Sequence, residues 1–150
     1  MSNIVASLTE TFTEAQLLQS GKGGGLGDRW TGPDGKVYKF VRYQTGAGSV
    51  AAVTGNVCYY HEDSGYSTND VTSDVSDSSN IGAGVLMSAP ADGEYAWIQI
   101  SGSATITTAL TAGADGNALT AVGAGDGTLD VSAAVTDAVV AFAEDASAQL

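Results

Sequence analysis

GPDGKVYKFVRY, residues 32–43, is the stretch that decides the fold. Pro33-Asp34-Gly35 is turn chemistry: proline presets its own φ, and glycine accepts the positive φ that a tight reversal requires. In the seven residues that follow, Val37, Lys39, Val41 and Tyr43 alternate with Tyr38, Phe40 and Arg42. That period of two, in β-branched and aromatic residues, predicts a strand directly after a turn.

Working outward, the same signals recur. NVCYYH at 56–61, IGAGVLMS at 81–88, YAWIQISG at 95–102 and SATITTAL at 103–110 read as strands, with a second turn at PADGE and a long polar loop, EDSGYSTNDVTSDVSDSSN, at 62–80. In YAWIQISG, Tyr95, Trp97 and Gln99 alternate with Ala96, Ile98 and Ile100, which makes Trp97 a core residue. TAGADGNALTA at 111–121 echoes VGAGDGTLDVSA at 122–133. Two unlike copies do not make a solenoid, so they predict successive hairpins. In DAVVAFAEDASAQL, the β-favouring Val139, Val140 and Phe142 predict a strand to about Ala143. Strands at this spacing predict an all-β chain, a compact β-sandwich or barrel of short antiparallel strands.

Upstream of the turn the pattern changes. Residues 1–25 are polar, with a short helical turn in TEAQLLQ and a glycine run after it, and they predict a flexible N-terminal arm leading into a β-domain at 26–150. The run SGKGGGLGDRW, 20–30, has the glycines and lysine of a phosphate-binding loop. Gly27-Asp28 stand where such a loop needs a second lysine and a hydroxyl, no apolar strand precedes it, and no helical pattern follows. Its glycines therefore read as a hinge.

Charge is segregated along the chain. The formal net charge is −12, and all five cations, Lys22, Arg29, Lys36, Lys39 and Arg42, precede Tyr43; thirteen of the seventeen acids follow it. Such a surface repels nucleic acid. The asymmetry has two readings: acid for solubility or a salty environment, or a basic segment that faces a partner while the acidic remainder faces solvent. The N-terminus lacks a basic region followed by an apolar core, and no run of about 18 apolar residues occurs, so neither a secretion signal nor a membrane span is expected. The single cysteine, Cys58, lies in an apolar run and reads as a buried structural thiol made in a reducing compartment.

No catalytic constellation emerges. His61 is the only histidine, and Cys58, three residues earlier on the same strand, points to the opposite face. One Cys and one His make no zinc site. The acid-rich loop and GAGDGTLD at 123–130 read as solvated turns before they read as calcium ligands. No enzymatic activity and no cofactor are expected.

The run GDRWTGPDGKVYKFVRYQTGAG, followed by AAVTGNVCYY and IGAGVLMSAPADGEYAWIQISGSATI, resembles the capsid decoration, or cement, proteins of tailed bacteriophages. The later GADGNALTAV and DAVVAFAEDAS look like the remaining strands of such a body. The resemblance implies an all-β protein, made in the host cytoplasm and often trimeric, that sits on the outer surface of the virion head and clamps major capsid protein subunits together. On that view its partners are the major capsid protein and further copies of itself, and Lys22, Arg29, Trp30, Lys36, Lys39 and Arg42 form the partner-binding segment. Two alternatives accompany it: a tail or fibre component, and a carbohydrate- or surface-binding β module presenting Tyr59, Tyr60 and Tyr66.

Overall fold

The computed structural model describes residues 7–20, 25–63, 65–111, 113–144 and 147–149. In chain order the elements are α1 Glu14–Ser20, β1 Arg29–Thr31, β2 Val37–Tyr43, β3 Val57–His61, α2 Gly65–Thr68, β4 Asp70–Thr72, β5 Ser78–Leu86 and β6 Tyr95–Ser101. These are followed by β7 Ser103–Thr105, β8 Ala118–Thr120, β9 Asp130–Val131, β10 Ala141–Glu144 and β11 Ser147–Gln149.

Strand β2 organises the larger sheet. Its neighbours run in the order β1-β2-β4-β3-β5-β6, and β6 returns to pair with β2 from Val37↔Ser101 to Arg42↔Tyr95. The five strands β2, β4, β3, β5 and β6 thus close into a barrel, with β1 attached outside the ring. Both alternating sets of β2 contribute buried residues, one enclosed by the ring and one covered from outside. Val41 and Tyr43 point inward, among Cys58, Tyr60, Val71, Ala83, Leu86 and Ile98. Tyr38 and Phe40 point outward into an aromatic cluster with Phe12 and Trp97. Phe40 stands 5.2 Å from Trp97 and 5.9 Å from Phe12, ring centre to ring centre, in the tilted geometry that aromatic pairs favour. Trp97 is a core residue, as its alternation predicts, but on the outer wall of the barrel.

The remaining strands form a second sheet, β7-β11-β10-β8-β9, antiparallel throughout. It lies over the wall of β3 and β5, where Val57, Tyr59 and Val85 pack against Ala104, Ile106, Leu119, Ala121, Leu129, Ala141 and Ala143. The Tyr59 hydroxyl crosses this seam: it donates to the carbonyl of Thr128 and accepts from the Thr128 amide at 3.1 Å. Gln99 fixes the corner between the sheets, its amide nitrogen donating to the carbonyls of Ser101, Gly102 and Ser103 at 3.0–3.2 Å.

Three sequence expectations change. The barrel contains one parallel pair, β2 with β4 (Arg42↔Asp70, Tyr43↔Val71), so its strands are not all antiparallel. The polar loop expected at 62–80 holds α2, β4 and the start of β5. Strand β4 reads as loop because Asp70 and Thr72 are polar, yet all three of its residues are buried, and Asp70 is satisfied by Arg42 and Thr68. The segment expected to stand off as an arm is, over residues 7–18, attached to the barrel: Phe12 is 4% exposed and exchanges backbone hydrogen bonds of 2.9 and 2.8 Å with Tyr95, while Leu8 and Leu17 flank the aromatic cluster. Helix α1 starts with a capping box, in which the Gln16 amide donates to Thr13 Oγ1 and the Thr13 amide to Gln16 Oε1. Residues 1–6 and 21–24, the latter including Gly21, Gly23 and Gly24 of the run read as the hinge, lie outside the described residues.

Candidate functional site

The partner-binding residues read from the sequence fall mainly on the β1–β2 hairpin. Its turn is built as the sequence predicts: the Gly32 amide donates to the Lys36 carbonyl at 2.8 Å, the Lys36 amide to Asp34 Oδ1 at 3.1 Å, and Gly35 takes φ +78°. Arg29 is paired directly opposite Lys39, and Trp30 opposite Tyr38. Residues opposite one another share a face. One face of the hairpin therefore carries Arg29 and Lys39; the other carries Trp30, half-buried, with its ring 5.7 Å from Tyr38. Burial pushes the Tyr38 hydroxyl above the ordinary tyrosine value, and the nearby Asp34 charge adds to this.

The cations divide by environment. Arg42 makes a bidentate pair with Asp70, both N···O distances 2.7 Å, and that hydrogen bonding raises the guanidinium above its already high ordinary value. This residue belongs to the barrel, locking the parallel β2–β4 pair. Lys39 Nζ donates to the Tyr60 hydroxyl at 2.9 Å and lies 5.1 Å from the centre of that ring. Arg29, exposed, and Lys36, half-buried, take part in no salt bridge among the described residues, and neither does Lys39. Lys22 lies outside the described residues. The sequence places these cations together correctly but does not reveal that Arg42 is already engaged. Its partner, Asp70, is hidden in a segment that reads as loop.

The acids have work of their own. Asp28, Asp34, Asp77, Asp92, Asp126 and Asp130 each accept a backbone N–H in a turn or strand end, as do Glu94, Asp137 and Asp74. Asp74 is the most enclosed of these, 1% exposed. It accepts from the Gly48 amide at 2.7 Å and from the amide and hydroxyl of Ser76 at 3.0 and 2.6 Å. The Ser76 hydroxyl above all, then the backbone donors, hold its carboxyl below the ordinary aspartate value. A β-carbon at position 48 would come within 2.5 Å of Asp74 Oδ2, so only glycine admits this contact. Much of the negative charge is thus turn chemistry in a chain of short strands, an explanation absent from both sequence readings of the asymmetry.

The other candidates resolve as follows. Cys58 is fully buried in the barrel, its thiol facing the Gly84 carbonyl at 3.4 Å, and burial pushes its pKa up, which suits packing and not nucleophilic attack. His61 is mostly enclosed: Nδ1 accepts from the Asp63 amide, and Nε2 lies 3.4 Å from Asp77. Tyr59 is fully buried and Tyr60 8% exposed, so neither is the surface aromatic that a carbohydrate-binding module would present; the Tyr66 side chain lies outside the described residues. Among the described residues no three His, Cys, Asp or Glu side chains converge to hold a metal ion. A cavity of about 90 Å³ between the sheets is lined by Val57, Gly82, Ala83, Gly84, Ile100, Leu129 and Val140, none of them titratable. No family model matches the chain, and neither curated proteins nor solved structures include a detectable relative.

Proposed function

We propose that this chain is a virion structural protein, a capsid decoration protein that attaches to the outside of a bacteriophage head through the β1–β2 hairpin and stabilises contacts between major capsid protein subunits. The observation that carries the proposal is the placement of Arg29, Lys36 and Lys39, none with an acid partner among the described residues, on one hairpin of the barrel in a chain of net charge −12. A cation left without an acid partner in so acidic a chain suits recognition of an acidic surface, because it orients the body and speeds encounter. The resemblance carried by residues 27–102 points the same way. The exposed apolar residues Phe142 on β10 and Val135 and Val139 in the connection that leads into it, each at least half exposed, suit self-association into the symmetric oligomer, a trimer, that such a lattice would use.

Occupancy on empty heads, measured across a salt series, tests the proposal. The native protein is expected to bind, with an affinity that falls as salt rises. Replacing Arg29, Lys36 and Lys39 together by Gln is expected to weaken binding at least tenfold with only a small fall in the melt, since the exposed Arg29 contributes little to stability and the main loss is the hydrogen bond from Lys39 to Tyr60. Arg42 is left intact in that variant because it supports the fold. Failure of the native protein to bind heads, or binding indifferent to both salt and the triple replacement, overturns the proposal.

A further inference from the structure

We infer that the free edge of β1 is a docking strand, and that it takes an extended segment of the partner that alternates acidic and apolar residues. The inference rests on the attachment reading above and names its mode.

The first ground is backbone accounting. Strand β1 ends its sheet, and among the described residues no strand pairs with its other edge. The hydrogen-bonded positions of the hairpin are fixed by Gly32 donating to Lys36 and Phe40 donating to the Asp28 carbonyl. In an antiparallel ladder the bonded pairs alternate with non-bonded ones, so Trp30–Tyr38 is bonded, while Arg29–Lys39 and Thr31–Val37 are not. The N–H and C=O of Arg29 and Thr31 therefore point away from β2, along the open edge, where an incoming strand would satisfy them.

Side chains specify what that strand would carry. A strand added to β1 continues its two faces. On one it would meet Arg29, with Lys39 behind it; on the other it would meet the half-buried ring of Trp30, backed by Tyr38. Acidic residues suit the first face and apolar residues the second, in strict alternation. A second copy of this chain pairing edge to edge would offer Arg29 no acidic residue from its own Arg-Trp-Thr strand, so the occupant is a different, acidic chain.

The test uses the full chain with two probes: a seven-residue peptide alternating Glu and Val, with a Lys–Val peptide as control, and empty heads. The Glu–Val peptide is expected to bind and the Lys–Val peptide not to. On binding either the Glu–Val peptide or heads, amide exchange at Arg29 and Thr31 is expected to slow at least tenfold, while Trp30, already bonded to β2, is unchanged. Thr31→Pro removes an outward N–H without touching the hairpin's own bonds, and it is expected to weaken both interactions at least tenfold. Should that variant fail to fold, the exchange measurement on the native chain and Arg29→Glu, which reverses the edge charge, decide alone. Heads that bind with Arg29 and Thr31 still exchanging freely overturn the edge inference and leave the decoration reading standing. Peptide binding with protection at both amides, but no binding to heads, does the reverse. Equal binding of the two peptides overturns the assignment of an acidic partner.

Discussion

Inside the barrel sit Tyr43, Tyr60, Leu86 and Ile98; beneath the second sheet sit Ala104, Ala121, Ala141 and Ala143, with Leu119 and Leu129 as the large residues. The barrel closes on itself, so its strands lose their edges and its two residue sets fill an interior and an outer aromatic layer. The second sheet is open, its end strands β7 and β9 are three and two residues long, and it buries one face by lying on Val57, Tyr59 and Val85 of the barrel wall. A sheet of alanines works there because the bulk is supplied from the other side. The barrel has an interior of its own, whereas the second sheet buries its face against the barrel wall.

The largest expected effect tests the barrel's side of that comparison. Phe40 is fully buried and touches three other aromatic rings, so Phe40→Ala should cost about 4 kcal/mol. A calorimetric melt is expected to fall by roughly 10 °C, with amide protection lost in both sheets together. Leu119→Ala, at an equally buried site of the second sheet, should cost about 3 kcal/mol, with protection falling at β8 and β10 while β2 and β6 keep theirs. Equal loss in both sheets would break the comparison and make the molecule a single cooperative unit.

Asp74→Ala comes next, at about 2 kcal/mol, because it leaves the Gly48 and Ser76 amides without their acceptor. The pH dependence follows with a definite sign. The Asp74 carboxyl is held below its ordinary value of 3.8, so its contribution is complete above that pH and is lost as pH falls through the lower folded value. The acid side of the stability curve should therefore be shallower in Asp74→Asn than in the native chain, as urea titrations at successive pH values would show. The smallest effect belongs to Phe142→Ser on the outer side of the second sheet, where the ring is 54% exposed. Stability should change by less than about 0.5 kcal/mol, whereas light scattering should show any self-association weakened.

Legibility in the sequence followed the range of the interactions. Strand β2 could be read residue for residue because a turn and a period of two are local, and the same holds for Trp97 as core. Strand β4 was not legible: Asp-Val-Thr becomes a buried strand only when Arg42, twenty-eight residues earlier, neutralises Asp70. The arm misled for a similar reason, since Phe12, the one aromatic residue of that segment, gives no sign that the buried rings of Tyr38, Phe40 and Trp97 await it. At the candidate site the clustering of cations was plain. Their separation into Arg42, engaged by Asp70, and Arg29 and Lys36, which have no acid partner among the described residues, depended on neighbours that only the folded chain brings near.

The return of β6 to β2 has a consequence for the order in which the protein is made. The ring closes only when residues 95–101 reach residues 37–42, so a chain emerging from the ribosome exposes the aromatic residues of β2 until Ser101 has left the exit tunnel. Every pairing of the second sheet uses residues from Ser103 onward. Synthesis thus delivers the strands of the platform before those of the sheet that leans on it, and closing the ring means bringing together segments more than fifty residues apart, against chain entropy.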